Sequence, residues 1–186
     1  MLPEISLNIL DIAQNSITAE ASLVRILVRE DTRQHRLTVH IGDDGRGMNE
    51  TQLASVTDPF FTSRTTRKVG LGIPFFKEEA ECTGGSFFIT SRVGVGTEVE
   101  AVFCTDSIDC MPLGDICATI HELVTMNEQL DFCYEYEIDG RAFTLDTREL
   151  REILGDVSFT EREVSTFIQQ YLYENTQEVR QGNVTD

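Results

Sequence analysis

The stretch Asp43–Gly47 combines acids with glycines, a combination that suits contact with a polar ligand. Its sequence is DDGRG, and it directly follows a run in which Leu37, Val39 and Ile41 alternate with polar residues. That alternation predicts a half-buried strand. An acid at the end of such a strand, followed by glycines, would bring a carboxylate and bare backbone up to a bound molecule. A surface Asp-Gly turn between two strands is the alternative, and this stretch alone does not separate the two.

A second glycine-containing stretch, Gly70–Gly72 (GLG), lies where a helix is predicted to begin. The helix is expected over Ile73–Cys82, with Pro74 suited to its first turn. Free N–H groups and the positive end of the helix dipole favour an anion such as a phosphate at this position. The preceding residues Thr62–Lys68 are rich in hydroxyl and basic side chains. The sequence contains neither a Walker A pattern nor a GxGxxG fingerprint.

A third candidate is a pair of polar residues on a predicted helix near the start of the sequence. The apolar spacing over Ile5–Ile17 is typical of an amphipathic helix. Asp11 and Asn15 are four residues apart, so they lie on the same face, one turn above the other. Such a pair is either a solvated edge of the helix or a pair that faces a ligand.

The elements that must position these residues follow from the same periodicities. A strand over Leu23–Glu30 is expected to form an antiparallel hairpin with the strand that starts at Leu37. A short helix should follow Met48, with Asn49 as its N-cap. Two strands, Ser86–Arg92 and Thr97–Phe103, are predicted around a glycine-containing turn.

The later part of the sequence, residues 105–186, predicts a small α/β unit without a recognisable catalytic pattern. Asp139-Gly140 is a strong hairpin signal between two alternating runs. The tail after Glu174 is predicted to fray. The elements expected are a helix over Pro112–Asn127, strands over Phe132–Ile138 and Arg141–Leu145, and helices over Thr147–Leu154 and Thr160–Tyr173.

The composition is that of a soluble globular protein with an uneven charge. The chain has 186 residues and a formal net charge of −17. Residues 1–104 contain 14 acidic and 10 basic residues, whereas residues 105–186 contain 18 and 5. An acidic segment repels the phosphate backbone, so no nucleic acid partner is expected. Without a signal pattern, a long apolar run or CxxC spacing among its five cysteines, the chain is expected in the cytoplasm with free thiols and no membrane segment.

Taken in order, these stretches resemble the ATP-binding domain shared by gyrase, heat-shock chaperones, histidine kinases and mismatch-repair ATPases, the GHKL superfamily. Asp11 and Asn15 resemble its N box, and Asp43, Gly45 and Gly47 its first glycine box. Residues 60–68 resemble its lid segment, residues 70–72 its second glycine box, and residues 96–97 the motif that opens its last strand. The resemblance covers roughly residues 5–104. It implies a two-layer α/β sandwich of helices on a mixed, mainly antiparallel sheet (the Bergerat fold), with domains at 1–104 and 105–186.

The resemblance also implies ATP and Mg²⁺ as cofactors and a role for each motif. Asp43 would accept the adenine amine, Asn15 would bind Mg²⁺ through its side-chain oxygen, and Asp11 would be catalytic. The N–H groups at the second glycine box would hold phosphates. The full set of nucleotide contacts expected is Asn15, Asp43, Gly45, Gly47, Met48, Phe61, Thr62, Arg64, Arg67, Lys68, Val69, Gly70, Leu71, Gly72 and Thr97.

Two positions depart from the family pattern, and they bear on function. Asp11 stands where relatives usually have Glu, so its carboxylate is one methylene shorter, and Lys68 stands where many have a lid glycine. We expect an ATPase or kinase of the histidine kinase-like type that acts as a regulator. The acidic segment 105–186 is expected either to dock a protein partner or to be a packing extension of the ATP-binding domain. The alternatives are an ATP-gated interaction module with little catalysis and, outside nucleotide chemistry, a metal site built from the cysteines. The sequence leaves an oligomer open.

Overall fold

Helical and alternating apolar patterns produce six helices and six strands within the part of the chain that the structure describes. The structure is a computed structural model, and it describes residues 4–56 and 72–182. The elements are α1 (Ile5–Thr18), β1 (Leu23–Asp31), β2 (Arg36–Asp43), α2 (Glu50–Val56), α3 (Gly72–Cys82), β3 (Ser86–Arg92), β4 (Gly96–Cys104), α4 (Ile116–Met126), β5 (Asp131–Ile138), β6 (Arg141–Asp146), α5 (Thr147–Leu154) and α6 (Arg162–Gln181).

The six strands form one mixed sheet in the order β3-β4-β2-β1-β5-β6. Every neighbouring pair is antiparallel except β1 and β5, which run parallel from Leu23 opposite Asp131 to Glu30 opposite Ile138. The predicted hairpin of β1 and β2 is present, with Ile26 opposite Ile41. The predicted fold class, helices on a mixed and mainly antiparallel sheet, is confirmed.

The core lies between one face of this sheet and the helices packed on it. In β1 the buried residues are Val24, Ile26 and Val28, and the residues between them are more exposed, as the pleat of a half-covered sheet requires. Ile9 of α1 and Phe76 of α3 are fully buried in the same core. None of the helices in residues 4–56 and 72–182 combines the length and apolar character needed to cross a membrane.

The segment 105–182 adds to this sheet and also holds the first helix. Strands β5 and β6 extend the sheet beyond β1, and α4 packs against α1 and α6. The carbonyls of Pro112 and Leu113 accept hydrogen bonds from the N–H groups of Ile5 (3.0 Å) and Ser6 (2.8 Å). These two N–H groups lie in the first turn of α1 and have no partner within the helix, so the connection after β4 caps it.

Two predicted helix boundaries in this segment are wrong. The helix predicted from Pro112 begins at Ile116, because Gly114 has a φ of 78° and Asp115 is the N-cap, accepting from the Ala118 N–H at 2.9 Å. The tail predicted to fray after Glu174 is helical as far as Gln181. Its polar composition is outweighed by burial at the helical spacing of Ile168, Leu172, Thr176 and Val179.

Candidate functional site

The carboxylate of Asp43, at the end of β2, is buried and oriented from two sides. Its exposed fraction is 8%. The Ser16 hydroxyl on α1 donates to Asp43 Oδ2 at 2.6 Å, and the Gly45 N–H donates to Asp43 Oδ1 at 2.9 Å. Each carboxylate oxygen can accept a second hydrogen bond, so the group keeps acceptor capacity for a ligand.

The glycine turn after Asp43 is fixed between the end of α1 and the β3–β4 hairpin. The Arg46 N–H donates to the Ala19 carbonyl at 3.0 Å, and the Gly94 N–H donates to the Arg46 carbonyl at 2.8 Å. Gly47 has a φ of 64°, and a Cβ atom there would lie 2.0 Å from the Arg92 carbonyl oxygen. Only glycine fits this position, because the conformation and the space both exclude a side chain.

Asp44 ties the same turn to the start of β1. Its carboxylate accepts from the N–H groups of Ser22 (2.7 Å) and Leu23 (2.9 Å) and from the Ser22 hydroxyl. Partial burial on its own would raise the pKa of Asp44, but these hydrogen bonds outweigh it and lower the pKa below its ordinary value. Asp44 therefore stays ionised and holds the turn in which Asp43 and Gly45 are placed.

Thr97, at the start of β4, lies opposite Asp43 in the sheet and belongs to a small hydroxyl network. Its hydroxyl is 2.8 Å from the Ser91 hydroxyl, which accepts from the Met48 N–H at 2.8 Å. Ser91 Oγ also donates to the Gly96 carbonyl at 3.1 Å. The predicted positions Met48 and Thr97 are thus brought together with Asp43 at one end of the sheet.

Asp11 meets α3 where that helix begins. A Cβ atom added to Gly72 would lie 2.1 Å from Asp11 Oδ2, so the carboxylate packs directly against the first residue of α3. Further along the two helices, Asn8 Nδ2 donates to Glu79 Oε2. Asn8 is fully buried and Glu79 is 8% exposed. One close packing contact and one hydrogen bond therefore join α1 to α3.

Asn15 is half-buried one helical turn from Asp11, on the same side of α1. Its side chain makes no hydrogen bond within residues 4–56 and 72–182, so its amide oxygen is available to a ligand. Amide and carboxylate oxygens are the donors that Mg²⁺ accepts from proteins, and this donor set fits the ion. The five cysteines are free, and no cluster of three or more His, Cys, Asp or Glu residues suited to a metal ion occurs in those same residues.

Eight of the predicted nucleotide contacts lie outside the described residues. They belong to the predicted lid and to the first part of the second glycine box. They are Phe61, Thr62, Arg64, Arg67, Lys68, Val69, Gly70 and Leu71. These assignments stay predictions.

Sequence reasoning missed four polar residues that the structure puts at or beside the site: Ser16, Ser91, Asn8 and Glu79. Ser16 and Asn8 could have been found, since they flank Asp11 and Asn15 on the one helix already predicted to face a ligand. Ser91 and Glu79 gave no such signal. Their partners are distant in sequence or fixed by the register of the β3–β4 pair.

Comparison with known proteins identifies the family to which this arrangement belongs. The sequence matches the family described as "Histidine kinase-, DNA gyrase B-, and HSP90-like ATPase" over residues 2–107. The chain belongs to this ATPase family. It carries an ATP-binding domain of that type, and the resemblance recognised in the sequence is confirmed. The match spans α1 to β4, the elements that carry Asp11, Asn15, Asp43 and Thr97.

Individual relatives of this ATPase family resemble the chain over different lengths. The C4-dicarboxylate transport sensor protein DctB of Pseudomonas aeruginosa is 34% identical over 94 residues, which are 50% of this chain and 14% of that protein. The N-terminal domain of a DNA repair protein has a TM-score of 0.55 at 11% identity, covering 78% of this chain and 53% of the other. The Aquifex aeolicus MutL ATPase domain complexed with ADP has a TM-score of 0.52 at 14% identity, covering 97% of this chain and 70% of the other. At such low identity the two structures establish the fold.

Proposed function

We propose that the chain binds Mg-ATP at the end of the sheet formed by Asp43, Thr97 and the polar face of α1, and that it hydrolyses the nucleotide or transfers its γ-phosphate to a partner protein. The observation that carries this proposal is the buried Asp43 carboxylate, held by Ser16 and the Gly45 N–H with acceptor capacity to spare. A carboxylate in that state recognises an adenine amine by a charge-assisted hydrogen bond. Guanine carries a carbonyl at the same ring position and cannot donate one.

The phosphate end of the nucleotide would lie towards Asp11, Asn15 and the first turn of α3. Asp11 packs against Gly72, so a carboxylate stands beside a helix N-terminus, where N–H groups and the dipole attract phosphate. Asn15 would hold Mg²⁺ through its side-chain oxygen. The bound ion would neutralise phosphate charge and fix the orientation of the phosphates. Asp11, one turn away, would orient or deprotonate the attacking group.

The attacking group decides whether the activity is that of an ATPase or of a kinase. A water molecule gives hydrolysis, and a side chain of a docked partner gives phosphoryl transfer. Asp11 is one methylene shorter than the Glu usual in the family, and a misplacement of about 1 Å can cost roughly 100-fold in rate, so we expect slow turnover without a partner. The ATP-gated interaction module, with binding but almost no catalysis, is the second candidate, and the same shortened side chain favours it.

A protein partner in a regulatory role is supported by the acidity of the segment that follows the ATP-binding motifs. Residues 105–186 contain 18 acidic and 5 basic residues. Such a surface attracts a basic partner and repels nucleic acid. A cytoplasmic location is supported by the five free cysteines, which suit a reducing compartment.

The experiment that tests the proposal compares the wild type with Asp11→Asn in single-turnover assays with γ-labelled ATP, alone and with cell extract. Asp11→Asn should bind Mg-ATP like the wild type and lose turnover, because it keeps the side-chain shape and removes the base. Asp109→Asn, at an exposed turn, makes the same chemical change away from the site and should match the wild type. Labelled protein indicates a kinase, free phosphate alone an ATPase, and binding without either product the gated module. Absence of ATP binding by the wild type contradicts the proposal.

A further inference from the structure

We propose that Asn8 and Glu79 act as a positioning pair that sets the placement of the first turn of α3 against Asp11. The inference rests on the proposed function, in which these two elements meet the phosphates. Neither Asn8 nor Glu79 belongs to a motif that is expected to contact the phosphates. The pair acts through the relative position of α1 and α3.

Burying the Asn8–Glu79 pair costs free energy. Asn8 is fully buried and Glu79 is 8% exposed, and Asn8 Nδ2 donates to Glu79 Oε2 across 71 residues of sequence. A carboxylate in a protein interior carries a large desolvation penalty even when it is hydrogen-bonded. Two apolar side chains of similar shape would give equal or greater stability. The pair is therefore retained for what it adds beyond stability.

What the hydrogen-bonded pair adds is a fixed orientation of α3 relative to α1. A hydrogen bond to a carboxylate is charge-assisted and fixes both distance and orientation, whereas two apolar side chains can slide against each other. A buried polar contact of this kind specifies one register between two helices. Here it selects one placement of α3 along α1.

The Asn8–Glu79 pair lies on the same helix faces as Asp11 and Gly72. Asn8 lies three residues before Asp11 on α1, and Glu79 lies seven residues after Gly72 on α3, so each pair of residues shares a helix face. The helices consequently touch at two points: the Asp11 carboxylate packs against Gly72, and Asn8 is hydrogen-bonded to Glu79. The two points are about 10 Å apart along α3, at 1.5 Å per residue. One contact alone would let α3 pivot, and two separated contacts fix the direction in which it runs.

The consequence is a separation between the two ends of the site. The adenine end is held by Ser16 and Gly45 and does not involve α3. The phosphate end depends on the distance between Asp11 and the start of α3. Losing the Asn8–Glu79 pair should therefore slow turnover far more than it weakens nucleotide binding, since a shift of about 1 Å is enough to cost roughly 100-fold in rate.

Three variants test this, with an exposed neighbour as control. The double variant Asn8→Leu with Glu79→Met removes the hydrogen bond and keeps side chains of similar shape. Glu79→Gln removes the charge but keeps an oxygen that can accept from Asn8. Glu78→Met makes the same charge change at an exposed position one residue away on α3.

The measurements are the single-turnover rate with γ-labelled ATP, the Kd for Mg-ATP, the thermal midpoint, and amide hydrogen exchange at Phe76 and Lys77 in the absence of nucleotide. We expect the double variant to keep the wild-type midpoint or exceed it, to bind Mg-ATP within about 3-fold of the wild type, and to lose about 10- to 100-fold in rate. Exchange at Phe76 and Lys77, near the first turn of α3, should become faster by about 10-fold. Glu79→Gln should recover most of the rate, and Glu78→Met should match the wild type.

Wild-type turnover and wild-type exchange in the double variant would overturn the positioning role. A rate that falls only in step with the thermal midpoint would also overturn it, because that is the behaviour of a merely structural residue. If the wild-type chain neither binds nor turns over ATP, the proposed function fails instead. The exchange at Phe76 and Lys77 then decides the positioning role alone, since it needs no nucleotide.

Discussion

The first part of the chain (residues 4–56 and 72–104) and the second part (residues 105–182) bury different kinds of polar residue. Within residues 4–56 and 72–104 the buried polar side chains include two carboxylates, Asp43 and Glu79, and the amide of Asn8. Within residues 105–182, apart from tyrosine hydroxyls, they are all threonines: Thr119, Thr125, Thr147 and Thr176. A buried hydroxyl can donate to a nearby carbonyl at little cost, whereas a buried carboxylate is expensive.

We interpret the difference as a division between a first part that carries the proposed ATP site and a second part that supports it. The second part has a core rich in aromatic and branched residues, in which the ring of Phe143 contacts those of Tyr134 and Tyr136, and Leu172 is fully buried. That apolar burial stabilises a sheet whose other end holds costly polar groups. Polar groups of the second part lie mostly at its rim, as where Arg151 donates to the carbonyls of Glu128 and Leu130.

The largest expected effect is a loss of stability caused by a change in the second, supporting part of the chain. Leu172→Ala should lower the free energy of unfolding by about 2–5 kcal/mol, because it removes a fully buried side chain and leaves a cavity. The folded fraction should still bind Mg-ATP with an affinity close to the wild type. Urea unfolding and calorimetric titration of the same samples measure the two effects.

The control for this change is Tyr173→Ala, the next residue on α6, whose side chain is 58% exposed. It should alter stability by no more than roughly 0.5 kcal/mol. Equal losses at the two positions, or a matching loss of nucleotide affinity in Leu172→Ala, would contradict the division between a supporting part and a binding part.

The second effect is a loss of nucleotide affinity caused by a change in the first part of the chain, which carries the proposed ATP site. Asp43→Ala should weaken ATP binding by about 1.5–3 kcal/mol, the range for a hydrogen bond to a charged group, while the chain stays folded. Calorimetric titration with ATP measures it, and Asp106→Ala at an exposed turn is the control. A folded Asp43→Ala protein with wild-type ATP affinity would remove the assignment of Asp43 to adenine.

The third effect is a gain in stability, and it distinguishes two tyrosines of the aromatic core. Tyr134 is fully buried, burial raises the pKa of its hydroxyl well above the ordinary value, and that hydroxyl has no hydrogen-bond partner in the described part of the chain. Tyr134→Phe should therefore raise the free energy of unfolding by about 1 kcal/mol.

Tyr136→Phe is the matched control for Tyr134→Phe. The Tyr136 hydroxyl donates to Glu30 Oε1 at 2.5 Å and accepts from Arg180 Nε at 2.7 Å. Its removal should destabilise the chain by about 1–3 kcal/mol, because both charged partners lose a hydrogen bond. Thermal unfolding of the two variants should give shifts of opposite sign, and shifts of the same sign would refute the explanation.

The smallest effect compares two hydrogen-bonded carboxylates, one in each part. Hydrogen bonds from Arg148 lower the pKa of Asp146, and hydrogen bonds from Ser22 and Leu23 outweigh burial to lower the pKa of Asp44. A carboxylate whose folded pKa is depressed stabilises the protein above its unfolded pKa of about 3.9, and that contribution is lost as the pH falls through the folded value.

Asp44→Asn and Asp146→Asn should therefore each lower the thermal midpoint at pH 6, and the difference from the wild type should shrink below about pH 4. Salt distinguishes them. At about 1 M NaCl the effect of Asp146→Asn should diminish, since an ion pair is screened, whereas that of Asp44→Asn should persist. A pH-independent difference for either variant would refute the assigned role.

Local sequence patterns were sufficient for the elements whose partners are neighbours along the chain. The alternation of Leu37, Val39 and Ile41 correctly predicted β2 and its hairpin with β1. Asp139-Gly140 correctly predicted the turn between β5 and β6, where both residues have positive φ, 50° and 83°. The strand-end Asp43 was found for the same reason, since it depends on one strand and one turn.

Local sequence patterns could not predict features that depend on contacts between residues distant in the sequence. The α6 helix outlasts its predicted end because Thr176 and Val179 are buried, and α4 starts late because the carbonyls of Pro112 and Leu113 cap α1. The contact of Asn8 with Glu79 spans 71 residues and has no local signature. A composition-based prediction treats such residues as surface, and only packing shows that they are interior.

The parallel pairing of β1 with β5 has a consequence for how the chain is made. The register brings Leu23 opposite Asp131, so β1 is an edge strand of the sheet until β5 has been synthesised more than 100 residues later. Long-range pairing of this kind slows folding and leaves an unpaired strand edge on the nascent chain. A ribosome-bound chain that already carries every ATP-binding motif through Thr97 would thus still present that edge to solvent, to chaperones and to other nascent chains.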